Sequence, residues 1–171
     1  MQAFIKQPKR IPLILKLGIW FSEKITGKIM LPARILAWYP KAAIGSGFME
    51  ALVAHADGQM TQRMLKLIRM TASYAVACPF CIDMNSYEYR DVGITDEEAD
   101  ALRGDYEKIA SFSENEKLAI TYTRVISQTP LKFHPELVER VKAAFTEREF
   151  VILASTAAQV NYWARLIQAL G

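Results

Sequence analysis

Three times this chain writes a hydroxyl residue, two intervening residues and a glutamate at the head of an apolar stretch: Thr95-Asp96-Glu97-Glu98, Ser113-Glu114-Asn115-Glu116 and Thr146-Glu147-Arg148-Glu149. In such a box the hydroxyl accepts the backbone N–H three residues on, and the glutamate reaches back to the hydroxyl residue's own N–H, so each box starts a helix. No segment alternates apolar and polar residues as a half-buried strand would. These signals together predict an all-α fold. At 171 residues the chain is long enough to bury a proper core in a single domain, residues 1–171, without covalent staples.

The helices can be placed from periodicity and punctuation. Leu13, Leu17, Trp20, Phe21 and Ile25 mark an amphipathic helix ending near Gly27, and prolines 32 and 40 divide two more, at about 33–38 and 41–55. Within the latter, Gly45-Ser46-Gly47 lowers helix propensity and predicts close packing against a neighbour. Asp57-Gly58 is a turn. Thr61 caps a helix to about 76 with Leu65, Ile68, Ala72 and Ala75 on its buried side, and a helix from Pro79 is expected to run to Val92, stopped by Gly93. The boxes lead helices to about 103, 128 and 170, and Pro135 starts one through Phe145. Thr61 and Thr146 open helices that each reach a Thr-Ala pair, Thr71-Ala72 and Thr156-Ala157, a short internal echo.

The chemistry concentrates at Ala77-Cys78-Pro79-Phe80-Cys81-Ile82-Asp83-Met84-Asn85, which holds both cysteines of the chain. Proline is favoured at the first position of a helix, so Cys78 begins the helix and Cys81 lies one turn in, on the same face. That spacing permits a disulfide. A helix start also stabilises a thiolate. Structural zinc takes four ligands, whereas the chain offers one cysteine pair and two histidines, His55 and His134, without metal spacing; no metal and no cofactor are expected. The competing reading is two small buried hydrophobes, a common role for free cysteine. Catalysis by the pair requires sulfurs that face each other and lie open to an oxidant.

Composition excludes several functions. A net charge of +3, without a basic block interleaved with aromatics, gives no nucleic-acid surface. The longest uncharged run, Phe150–Ala164, is 15 residues, short of a membrane span. Lys6, Lys9 and Arg10 ahead of Ile11-Pro12-Leu13-Ile14-Leu15 imitate a signal peptide, but Lys16 interrupts the run and no cleavage site follows. Two cysteines suit a cytoplasmic redox pair better than a secreted framework.

Lys66-Leu67-Ile68-Arg69 leading into Ala77–Met84, Gly93-Ile94-Thr95-Asp96-Glu97-Glu98, Phe112–Glu116 and Asn161-Tyr162-Trp163-Ala164-Arg165-Leu166 resembles the carboxymuconolactone decarboxylase-like superfamily, in its AhpD-like alkylhydroperoxidase branch. The resemblance covers about residues 40–171, with 1–35 a looser helical extension. It implies an AhpD-like helical bundle assembled as a trimer or hexamer, with the site near a subunit interface. It further implies that Cys81 attacks a peroxide, Cys78 resolves the sulfenic acid as a disulfide, and a thiol donor restores the dithiol. Disulfide reduction is the sister activity.

Two positions depart from the pattern. The proton relay of active members uses a glutamate twelve residues before the first cysteine, where this chain has Lys66, and a histidine four after the second, where it has Asn85. An amide cannot serve as a general base. Lys66 could favour a thiolate or be a solvated helix residue; Asp83 could be a base or a surface residue; Tyr74, Tyr87, Tyr89 and Ser73 read as packing residues, and His134 as a cap or an exposed loop residue. The alternatives to a thiol oxidoreductase are a non-catalytic or redox-sensing oligomer and, less favoured, a muconolactone-type decarboxylase.

Overall fold

A computed structural model describes residues 3–171. Nine α-helices occur among them, with no strand beyond an isolated bridge between Asp57 and Met60. They are α1 (Leu13–Thr26), α2 (Leu31–Leu36), α3 (Pro40–Leu52), α4 (Gln62–Ala75), α5 (Pro79–Asn85), α6 (Asp96–Ala101), α7 (Glu114–Ile126), α8 (Pro135–Ala144) and α9 (Glu147–Leu170). The chain divides into two compact units, residues 53–166 and residues 3–52 with 167–171.

All three capping boxes form. Thr95 accepts from Glu98 N at 3.2 Å while the Glu98 carboxylate accepts from Thr95 N at 2.9 Å. Ser113 and Glu116 repeat this at 3.2 and 2.8 Å, and Thr146 and Glu149 at 3.3 and 2.9 Å. Thr61 caps α4 through Met64 N at 3.1 Å.

In the larger unit α4 is the central element. Met64, Leu65 and Ile68 join Leu118, Tyr122, Val141 and Leu153 in one apolar cluster, while Leu67 and Met70 join Ile94, Leu102, Phe112 and Ile120 in another. The helix is therefore buried on more than the single side expected from its pattern, and Ala75, placed on that side, is exposed. Each fully buried aliphatic side chain contributes about 1.5–3 kcal/mol, so α4 anchors both clusters. Tyr122 adds ring contacts to Phe133 (5.1 Å, stacked) and Phe150 (5.4 Å, edge-on).

The turn before α4 is held from afar. Gly58 has φ +54°, and Gln59 N donates to Glu149 at 2.7 Å. A Cβ on Gly58 would collide with the Glu149 carboxylate, which its own capping box also holds.

In the smaller unit α1 ends at Gly27 in the left-handed conformation. Its Glu23 carboxylate accepts from Arg34 at 2.8 and 2.7 Å, tying it to α2. No residue of α1 is buried, and Leu13, Ile14, Leu17 and Phe21 are 82%, 74%, 63% and 59% exposed. The close packing expected at Gly45 and Gly47 is not found: among the described residues, a Cβ at either would meet no atom within 4 Å beyond its chain neighbours and the nearby backbone of its own helix.

Candidate redox site

The link from α4 to α5 makes an abrupt turn. Val76 closes α4, Ala77 takes a left-handed φ of 49°, and Cys78 enters extended as the N-cap of α5, with Pro79 at the first helical position. Cys78 N donates to Ser73 O at 3.4 Å. The sulfurs of Cys78 and Cys81 are joined in a disulfide with Cα atoms 5.2 Å apart. Cys78 Sγ also accepts from Cys81 N at 3.3 Å, filling the place usually taken by a capping oxygen.

The expected helix to Val92 is broken. α5 ends at Asn85, Glu88 turns left-handed (φ 53°), and a 3-10 turn at Tyr89–Val92 runs to Gly93. The break leaves the Tyr87 carbonyl outside a helical ladder, where it accepts from Lys66 Nζ at 2.7 Å. Lys66 is accordingly half-buried rather than solvated. Its pKa is lowered, first by that burial and then by the charge of Arg69, with Glu88 and Asp91 opposing.

Asn85, at the relay position, donates from Nδ2 to Ser73 Oγ at 2.9 Å. Ser73 is fully buried, with its hydroxyl 2.8 Å from Arg69 O and 3.2 Å from Cys81 O. Ser73, expected to be a packing residue, is thus the hinge pin between α4 and the cysteine helix; no sequence signal distinguishes it from any small residue on a buried face. Tyr74 meets Ser86 at 3.2 Å, Tyr89 donates to Asp96 at 2.8 Å, and Asp83 is exposed. His134 stands at the N-cap of α8 without a side-chain cap bond and is exposed.

One expectation fails. The pair was to lie open, but Cys78 is fully buried and Cys81 only 3% exposed in the chain. The sharp turn at Ala77 folds the α5 start back onto α4, and the Ser73 bonds keep it there. Among the described residues no three His, Cys, Asp or Glu side chains gather as a metal site, and no helix is long and apolar enough to cross a membrane.

The fold and the Cys-Pro-Phe-Cys helix start define an all-helical protein with two cysteines joined across one helical turn. No family model matches the sequence. The uncharacterized protein YdfG of Bacillus subtilis is 32% identical over 138 residues, covering 80% of this chain and 93% of YdfG. An uncharacterized peroxidase-related protein from Ralstonia eutropha JMP134, described as an alkylhydroperoxidase AhpD core, superposes with a TM-score of 0.82 at 16% identity, over 99% of this chain and 90% of that one. A peroxidase-related protein from Silicibacter sp. TM1040 gives 0.82 at 12% identity, over 98% and 89%. The chain belongs to the family that includes YdfG, and it has the AhpD-like fold of these solved structures.

Proposed function

We propose that this chain is a thiol-dependent oxidoreductase of the antioxidant kind, cycling Cys78 and Cys81 between dithiol and disulfide. The observation that carries this reading is the disulfide across one turn at the start of α5. In the peroxide reaction the Cys81 thiolate attacks the outer oxygen of ROOH; the O–O bond breaks, ROH leaves with a proton, and Cys81 becomes a sulfenic acid. Cys78 then displaces water to form the disulfide. Two equivalents of a donor thiol restore the pair, the first forming a mixed disulfide and the second releasing the oxidised donor. The roles follow the family resemblance, and one feature of the site suits them: the Cys81 N–H on Cys78 Sγ favours Cys78 as the leaving thiolate when a donor attacks Cys81.

Without a base at position 85, the attacking thiol loses the assistance that general-base catalysis supplies, so slow turnover is expected. Peroxide consumption with a dithiol donor, together with mass-spectrometric alkylation, tests the reading. Thiols that stay free in the folded protein after peroxide treatment would refute it. Both cysteines are buried in the chain at rest, so turnover further requires the start of α5 to open and admit the peroxide. The same burial favours a second reading, a redox-sensing clasp that oxidises without turnover. Single-event oxidation that changes assembly, with no catalytic peroxide loss, would identify that case.

Assembly as a homo-oligomer belongs to the same proposal. The exposed apolar residues of α1 form the kind of surface that proteins cover with another subunit. Leu17→Glu should lower the sedimentation coefficient of the assembled protein; an unchanged value would remove α1 from the interface.

A further inference from the structure

Beside the cysteine helix, within the larger unit, lies a cavity of about 460 Å³ whose walls include Thr71, Tyr74, Ile82, Leu102, Arg103 and Arg124. That is the size of a small-molecule pocket. Ala77 and Ile82 also line it, so it borders the residues immediately beside Cys78 and Cys81. Two cations line it. The Arg103 guanidinium sits 4.7 Å from the centre of the Tyr74 ring, and that of Arg124 lies 4.3 Å from the Tyr106 ring. Among the described residues no carboxylate pairs with either arginine. Arg124 uses Nη2 on the carbonyls of Leu102 (3.0 Å) and Gly104 (2.8 Å), which leaves three of its five N–H donors. Asp105 feels the charge of Arg124 but is bonded to Lys108.

Thr71 closes the floor of the cavity; it is 1% exposed, and its hydroxyl is sealed from the cavity space, so the polar character of the walls comes from the two arginines.

We propose that this cavity binds a small organic acid, its carboxylate or phosphate held by Arg103 and Arg124, and its apolar body against Ile82, Leu102 and the Tyr74 ring. Guanidinium forks match planar carboxylate and phosphate groups, and the absence of a protein carboxylate on either arginine leaves that charge for a ligand. The assignment goes beyond the redox reading, because it is measured as binding and needs no turnover.

The test is calorimetric titration of the intact protein with benzoate, phenyl phosphate and the neutral isostere benzamide. Benzoate or phenyl phosphate should bind saturably and benzamide should not, and whichever acid binds more tightly distinguishes the two headgroups. Arg103→Gln should weaken acid binding by about tenfold or more, as loss of one charge-assisted bond does. Lys132→Gln, at an exposed loop position, should change nothing. Equal binding of benzoate and benzamide, equal loss in Arg103→Gln and Lys132→Gln, or no saturable acid binding would overturn the proposal. So would a change in sedimentation of Arg103→Gln without any acid binding, since it would assign the arginines to a contact between subunits.

Discussion

Acid should unfasten the larger unit at Glu98. This carboxylate is 2% exposed and accepts from Arg63 at 2.7 and 3.1 Å, from Ser111 at 2.7 Å and from Thr95 N at 2.9 Å. Burial alone pushes its pKa up. The Arg63 fork, the Thr95 N–H and the Ser111 hydroxyl outweigh that and bring it down from 4.5 to about 2. A displacement of that size, at ~1.4 kcal/mol per pH unit, is worth ~3 kcal/mol of folding free energy. Because the folded pKa is the lower one, this stability is fully present above pH 4.5 and is lost as pH falls through about 2. Urea unfolding followed by circular dichroism across that range, for the native chain and Glu98→Gln, isolates the effect. The variant keeps the side chain's shape but cannot ionise, so the stability gap between the two proteins should narrow steadily with acid. Other carboxylates with lowered pKa, such as Glu23 and Glu149, contribute equally to both curves. A gap that stays constant from neutral pH to about 2 would refute the reasoning, because Glu98 would then not be held ionised by Arg63.

Other outcomes follow from the same geometry. Gly58→Ala should cost ~1–3 kcal/mol in denaturant unfolding, since left-handed backbone and the fixed Glu149 carboxylate both oppose a Cβ. An effect within ~0.5 kcal/mol would show that the carboxylate yields freely. Cys81→Ser should abolish peroxide consumption, whereas Cys78→Ser should leave one oxidation per chain that dimedone traps as a sulfenic acid; trapping in the reverse variant would exchange the two roles. Asn85→His should raise the peroxidase rate, on the order of 10²-fold if the ring replaces the missing base, with a new pH dependence near neutrality. A rate unchanged across pH would show that proton transfer does not limit the reaction. Ser73→Ala should destabilise the protein by ~1–3 kcal/mol, because Asn85 loses its acceptor in a buried place; urea unfolding checks it, and an unchanged midpoint would remove Ser73 as the link between α4 and α5.

Much of the helical layout was legible in the sequence because its signals are local. A capping box is closed by residues three apart, so Thr95, Ser113 and Thr146 announced their helices without any knowledge of the fold. Cys78-Pro79 announced the helix start in the same way. The break after Asn85 was not legible. It depends on Glu88 turning left-handed while Lys66, 21 residues earlier, takes the Tyr87 carbonyl.

By itself the sequence determined that the chain is helical, where most helices begin, and that two sulfurs stand one turn apart. Tertiary structure alone decided what those features touch. Arg63 joins two separate boxes through Glu98 and Glu116, Ser73 pins the cysteine helix to α4, and the turn at Ala77 buries the cysteines that an isolated helix tip would expose. The physical reason is range. Backbone capping is settled within one helical turn, whereas burial, charge pairing and the shape of a cavity depend on residues that only the folded chain brings together.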